Sequence, residues 1–299
     1  MKVAVIGLGT QGNKRMAIAR SDVVVTVDPV HPQAQYKNTE AVPIRDYDAA
    51  LVCTPDDAKI SILHYLLSHA KHVLVEKPLF AARSEQLREL ESVAKRNKAV
   101  CYTAYNHRFE PHIANLKKVL DSGRLGKVYS ASFFYGNGTA RDVRDSWRDQ
   151  GFGVLPDLGS HLLDTILFLF GPLEGSCARW RSDRFENRAY DHFSFGFNGT
   201  LPVDCEITLL SWRNTFRADI CAELGSAHID CLCKWGPSTL TVRHRILPSG
   251  RPDEEATTLV CPDPTWALEY EHFKLLCQSP QTNIENDIWI QSKLEELME

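Results

Sequence analysis

Three residues of this chain stand in settings where a side chain can move a proton. Lys77 follows the apolar run Val73-Leu74-Val75 within Glu76-Lys77-Pro78, so it falls at a strand end, where a partly buried ammonium can donate to a substrate oxygen or exchange its proton. Pro78 can fix a cis turn that aims it. Asp157 and His161 lie four positions apart behind Pro156, a residue suited to a helix start, which puts a carboxylate one turn before an imidazole on one helix face. Such a carboxylate stabilises the protonated ring and orients it, as a general base near neutral pH requires. Each also has a plainer reading, a solvated strand-end loop for Lys77 and a first-turn aspartate beside a partly buried histidine for the other two.

A second set concerns anion binding. Gly7-Leu8-Gly9-Thr10-Gln11-Gly12 directly follows a first strand and opens a helix. Gly7 suits a tight turn, Gly9 lets backbone approach a pyrophosphate, and Gly12 lets helix and strand pack closely, with the anion on the amides that begin with Thr10 and Gln11. Asp28 ends the second strand, Val23 to Val27, at the interval expected of a carboxylate that binds ribose hydroxyls. Its charge repels a 2′-phosphate, so NAD is expected over NADP. A strand-ending turn residue is the plainer reading of Asp28.

The elements that must carry these residues change texture near residue 102. Before it, short apolar runs (Lys2 to Ile6, Val23 to Val27, Ala49 to Cys53, His72 to Val75, Ala99 to Tyr102) alternate with helical patterns at Gly12 to Arg20, Asp57 to Ala70 and Arg83 to Asn97. Strands apolar on both faces with helical crossovers give a parallel sheet of Rossmann type. Beyond it come longer alternating strands, Lys127 to Tyr135, Tyr190 to Phe197, Leu201 to Leu210 and Phe216 to Glu223, with a tight hairpin expected at Asn198-Gly199. Helices are expected at Pro111 to Asp121, Asp157 to Phe170, Thr265 to Cys277 and Ile284 to Met298. The fold class is therefore α/β: residues 1–102 form a dinucleotide-binding domain, and residues 103–299 form an α+β domain with a large, mostly antiparallel open sheet.

Composition narrows the partners. A hydrophobic content of 43% and a charged content of 24% over 299 residues describe a globular chain with ample core. A net charge of −4 gives no bulk attraction for nucleic acid or an anionic membrane, so an anionic ligand needs a local site. The N-terminus reads as a strand rather than a signal peptide and no apolar run approaches a membrane span, so a cytoplasmic protein is expected. Nine cysteines, an odd number without a C-x-x-C pair, read as buried thiols of a reducing compartment. No metal site is expected, since Cys231 and Cys233 have no further zinc ligands at suitable spacing. Ala140 to Arg148 is rich in arginine and reads either as a hydrogen-bonding and stacking wall for a sugar, including Trp147 and Arg148, or as a solvated loop whose arginines pair with Asp142, Asp145 and Asp149.

Five motifs in order, Gly7 to Gly12, Cys53-Thr54-Pro55, His72 to Pro78, Tyr105-Asn106-His107-Arg108-Phe109, and Trp147-Arg148 through Asp157-Leu158-Gly159-Ser160-His161, resemble the glucose-fructose oxidoreductase / inositol dehydrogenase / MocA family. The resemblance implies an NAD(P)-dependent oxidoreductase acting on a CH–OH carbon of a sugar, polyol or nucleotide-sugar, as a homodimer or homotetramer through the open sheet. It implies that Lys77 contacts the reacting hydroxyl and cofactor, that Asp157 binds substrate, and that His161 is the acid/base. It further implies that Thr54 and Pro55 lie along the dinucleotide, that Glu76 and Pro78 shape the nicotinamide pocket, and that Asn106 and Arg108 line the sugar pocket. Two other functions compete: a non-catalytic NAD-sensing regulator, which need not keep Lys77, Asp157 and His161, and a dehydrogenase for a non-sugar such as a dihydrodiol. The chain departs from the family in two places. Only some 20 residues separate Asp28 from Ala49, so the usual second helix is shortened or lost, and Asp56-Asp57-Ala58-Lys59 stands where relatives often carry asparagine and then histidine.

Overall fold

The computed structural model describes residues 1–146 and 148–299; Trp147, read above as part of a sugar wall, lies outside them. Five short strands, β1 (Val3–Ile6), β2 (Val23–Val27), β3 (Ala49–Val52), β4 (His72–Glu76) and β5 (Cys101–Ala104), form an all-parallel sheet in the order β2-β1-β3-β4-β5. Every residue of β1, β3 and β5 is buried, as expected of strands covered on both faces. Helices α1 (Thr10–Ala19), α2 (Asp56–Ser68) and α3 (Ser84–Arg96) supply the crossovers. The chain leaves β1 toward β2 and later returns to its other side as β3, so the order reverses between β1 and β3. That switch point is where open α/β sheets bind ligands.

Between β2 and β3 the second helix, expected to be shortened or lost, is lost. Two single turns, Thr39–Ala41 and Ile44–Asp46, take its place, and Tyr36 makes one parallel bridge to Val27 where a further strand would pair. Val42 and Tyr47 fill the remaining space and are buried.

The larger sheet has eight strands: β6 (Val128–Gly136), β7 (Cys177–Asp183), β8 (His192–Asn198), β9 (Pro202–Thr208), β10 (Thr215–Ala222), β11 (Gly225–Asp230), β12 (Ser238–His244) and β13 (Asp253–Leu259). Their order is β13-β12-β11-β10-β6-β9-β8-β7, antiparallel at every pairing except β6 with β9. Alternation sets which face is covered: Val203, Cys205 and Ile207 of β9, and Phe216, Ala218 and Ile220 of β10, are buried while Asp204, Glu206, Arg217 and Asp219 point outward. With Phe193, Phe195 and Phe197 of β8 also fully buried, each aromatic contributes about 1.5–3 kcal/mol on the inner face. Helix α4 (Pro111–Asp121), the single turn α5 (Ala140–Val143) and α6 (Ser160–Phe170) belong to this region. Glu110 starts α4 by accepting from the His112 and Ile113 amides at 2.8 and 3.0 Å, with Pro111 next in the chain.

The hairpin at Asn198 forms with a longer loop than the sequence suggests. Asn198 pairs with Pro202 across a three-residue loop, and neither Asn198 nor Gly199 takes a positive φ. Gly199 is required instead by close approach, since a Cβ there would meet the Glu174 carbonyl oxygen at 2.1 Å.

The last two helices, α7 (Thr265–Gln278) and α8 (Ile284–Met298), divide the chain differently from a single cut near residue 102. The first compact unit comprises Met1–Asn106 and Thr265–Gln291, and the second comprises His107–Pro264 and Ser292–Glu299. The reason lies at the open edge of β5. Thr282 Oγ1 and the Asn283 amide donate to the Cys101 carbonyl, the Thr103 amide donates to Asn283 Oδ1 at 2.9 Å, and Thr103 Oγ1 donates to Asp287 Oδ2 at 2.8 Å. The returning chain thereby pairs an edge that would otherwise be unsatisfied. Among the described residues no helix is long and apolar enough to cross a membrane.

Candidate active site

In the first unit the three glycines of the loop have separable reasons. Gly7 sits at φ +92°, and a Cβ on it would stand 2.6 Å from the Cys53 carbonyl oxygen; a Cβ on Gly12 would reach to 1.9 Å of the Gly7 carbonyl oxygen. These two are therefore fixed by chain packing. Gly9 has no atom within 4 Å of the same position, so the space above it is free for a ligand to reach the backbone. Gly9 also precedes the first turn of α1, Thr10-Gln11-Gly12, which has no side-chain cap and no acidic residue. Its amides and the positive end of the helix dipole suit a phosphate.

Asp28 follows β2 and is nearly buried. Its Oδ2 accepts from the Leu8 amide at 2.8 Å, while Oδ1 accepts from the Val30 and His31 amides at 2.9 and 2.8 Å. Burial pushes its carboxyl up, but these three donors outweigh burial and hold it below the ordinary carboxylate range. Asp28 is thus both the turn residue and a fixed anion beside the glycine loop. Thr54 and Pro55 follow β3, across the switch point, and Thr54 Oγ1 is buried without a protein partner. An orphaned hydroxyl, an open glycine, an uncapped helix start and a carboxylate on one sheet edge fit a dinucleotide.

Glu76 ends β4. Its Oε1 accepts from Arg15 Nε at 2.6 Å, and Arg15 Nη1 lies 2.7 Å from Glu269 Oε2 of α7. Arg15 is 1% exposed, with the Trp266 ring 4.3 Å from its guanidinium carbon. Burial disfavours this cation, but Glu269 and Glu76 more than compensate and bind its proton more tightly than usual. The Lys77–Pro78 peptide is cis and Lys77 is half-buried. Lys59 of α2 is buried and donates to the Pro78 carbonyl. Asn106, expected along a sugar, donates from Nδ2 to Thr265 Oγ1 at 2.7 Å and ties β5 to α7.

In the second unit the helix expected from Asp157 begins with a π-helical turn, Leu155–Gly159, before α6 proper starts at Ser160. The wider turn alters the i, i+4 stacking expected of Asp157 and His161. The Asp157 carboxylate pairs with Arg148, so the loop arginine joins the helix start rather than standing in solvent. His161 is 8% exposed and stacks on His107, with ring centroids 4.3 Å apart and planes 22° apart. Tyr135 lies edge-on to His161 at 6.1 Å and stacks on Trp235 at 5.7 Å. Burial pushes the Tyr135 phenol well up; the Asp157 charge adds to this and Arg148 opposes it. Arg108, also expected along a sugar, holds Asp164 through Nε at 2.9 Å and Nη2 at 2.5 Å. Burial raises the Asp164 carboxyl, against the pull of Arg108.

The structure thus brings the glycine loop, Asp28, Thr54, Glu76 and Lys77 to one sheet edge, and Arg148, Asp157, His161 and His107 to one cluster. Arg15, Glu269, Tyr135 and Trp235 carry no sequence motif. Arg15 had a faint signal, because Gly12, Arg15 and Ala19 recur at helical spacing on a buried face. Among the described residues no group of three or more His, Cys, Asp or Glu side chains is placed to hold a metal.

Comparison with known proteins agrees with this geometry. Residues 1–105 match a family model described as an oxidoreductase family with an NAD-binding Rossmann fold, and residues 113–228 match the GFO/IDH/MocA C-terminal domain. An uncharacterized oxidoreductase of Escherichia coli K12, YdgJ, is 38% identical over 42% of this chain and 36% of its own length. Inositol 2-dehydrogenase of Rhizobium meliloti is 30% identical over 42% of this chain and 37% of its own length. The matched region thus spans less than two fifths of these curated relatives. A levoglucosan dehydrogenase solved in complex with NADH shares the fold, with a TM-score of 0.81 over 99% of this chain and 98% of that one at 18% identity. With both of its domain models matched in order along one chain, this protein belongs to the GFO/IDH/MocA oxidoreductase family, with an NAD-binding Rossmann domain at its N-terminus.

Proposed function

We propose that the chain is an NAD-dependent dehydrogenase or reductase acting on a CH–OH carbon of a sugar, polyol or nucleotide-sugar. The observation that carries this is the Arg15 bridge: the helix opened by the glycine loop is fastened through Arg15 to Glu76, so Lys77 is anchored beside the dinucleotide edge. Gly9, the α1 amides, Thr54 and Pro55 hold the dinucleotide, and Glu76 and Pro78 shape the nicotinamide end. The fixed anion of Asp28 accepts from ribose hydroxyls and disfavours a 2′-phosphate, which supports NAD over NADP.

When bound, the nicotinamide supplies a carbon that takes or returns hydride. His161 takes a substrate hydroxyl proton at a ring nitrogen, and Lys77 donates to a substrate oxygen as negative charge grows on it. Asp157, with Arg148, binds a neighbouring hydroxyl and fixes which carbon is presented. Asn106 and Arg108 shape the sugar pocket, indirectly through their ties to Thr265 and Asp164. The polar character of these groups favours a sugar over an apolar dihydrodiol.

The reading includes a homodimer or homotetramer formed through the outer face of the eight-stranded sheet, where Trp180, Phe134 and Arg217 line a hollow. It also includes a cytoplasmic location, consistent with cysteines that are free thiols among the described residues, Cys101, Cys177, Cys205 and Cys233 of them buried. A panel of sugars, inositols and nucleotide-sugars, assayed with NAD and with NADP by nicotinamide fluorescence, tests the activity. Turnover with one sugar class and NAD is expected. Tight NAD binding with no turnover across the panel would instead support the sensing regulator, and sedimentation of the purified protein tests the oligomer.

A further inference from the structure

Lys59 projects from the first turns of α2 and is 1% exposed. It shares the helix's inner row with Leu63, Leu66 and Leu67, all fully buried. An ammonium is among the least favourable groups to place on such a row, and a leucine or methionine would pack there without desolvating a charge. Its Nζ has two partners. One is Asp56 Oδ1, one turn earlier at 2.7 Å; the other is the main-chain carbonyl of Pro78, also at 2.7 Å. The first contact is local to α2. The second crosses to the turn that follows β4 and fastens it at the residue after Lys77.

Lys77 is therefore bracketed. The side chain of the preceding residue, Glu76, is held by Arg15 of α1, and the carbonyl of the following residue, Pro78, is held by Lys59 of α2. The two helices are those that leave β1 and β3, the strands on either side of the switch point. We propose that Lys59 is a positioning residue that clamps the Lys77-Pro78 turn, so that the Lys77 ammonium is presented in one orientation. Burial pulls the Lys59 amine down while the Asp56 carboxylate opposes that pull. The inference rests on the proposed function only for the use made of Lys77; the clamp itself does not depend on it.

Lys59→Met keeps the stem and removes the ammonium. Hydrogen exchange of the cofactor-free protein should then show loss of protection in a peptide spanning residues 77–82, with β4 residues 73–75 unchanged. With an active substrate, kcat should fall about 10²-fold, the scale of an Å-sized misplacement, while NADH affinity and KM stay nearly constant. Lys59→Arg, which keeps a donor, should recover part of the loss. In the Lys77→Ala background Lys59→Met should cause no further loss, because its effect acts through Lys77. Unchanged exchange around residue 78, or losses that multiply in the double variant, would overturn the clamp. If the unaltered protein turns over no member of the panel, the functional reading fails and the exchange experiment still decides the clamp.

Discussion

His107 and His161 lie ring upon ring at 4.3 Å, within a collar of Tyr135 and Phe216. The face of one imidazole is thus the floor of the other, and the plane of the His161 ring is set by packing. His161→Ala should lower turnover by about 10²–10⁴-fold and leave NADH binding, followed by fluorescence titration, nearly intact. His107→Phe keeps a flat floor and should retain more activity than His107→Ala. Full turnover in His161→Ala would remove it from the role of base.

The glycine loop allows two defects to be separated. Gly12→Ala forces a methyl against the Gly7 carbonyl and should destabilise the protein by about 1–3 kcal/mol in denaturant titration, with cofactor binding lost as a consequence. Gly9→Ala meets no protein atom and has a negative φ, so stability should hold while NADH affinity falls. Equal effects of the two on stability would show that Gly9 also serves packing.

Arg15→Met leaves Glu76 and Glu269 buried without their shared cation. Breaking a buried ion pair from one side costs about 3–5 kcal/mol, so unfolding by denaturant should shift strongly to lower concentration. Lys77 activity should fall as well, since Glu76 loses its anchor.

Asp28 gives a pH signature. Its folded-state carboxyl lies below the ordinary value, so it contributes stability that is complete above the unfolded pKa of about 3.9 and is lost as pH falls through the folded value. Asp28→Asn lacks one acceptor and leaves an amide unpaired, at about 1–3 kcal/mol near pH 7. Stability measured from pH 7 downward should show the gap between the two proteins close only below about pH 4. The same variant should bind NADH more weakly.

Much of the cofactor half was legible because its determinants are local. A glycine that must turn, a glycine that must pack and a carboxylate ending a strand lie within a single β-α-β stretch, where spacing alone constrains them. Arg15 was illegible for the opposite reason: its partners Glu76 and Glu269 are 61 and 254 positions away, and a charged residue on a weakly amphipathic helix looks like surface. Asn106 and Arg108 were visible in a motif, yet their contacts with Thr265 and Asp164 depend on where distant segments return. Pro156 correctly marked a helix start, but the widening of the first turn around Asp157 depends on packing that no i, i+4 rule encodes. Asn198-Gly199 gave the right hairpin with the wrong loop, since Glu174, not turn geometry, requires the glycine.

The partition of the chain also bears on its synthesis. Because Glu269, Asn283 and Asp287 complete the first unit, a nascent polypeptide that has emerged only through Pro264 holds Arg15 with half its counter-charge and β5 with a bare edge. The Rossmann unit therefore reaches its final form only once the segment through Gln291 has been made.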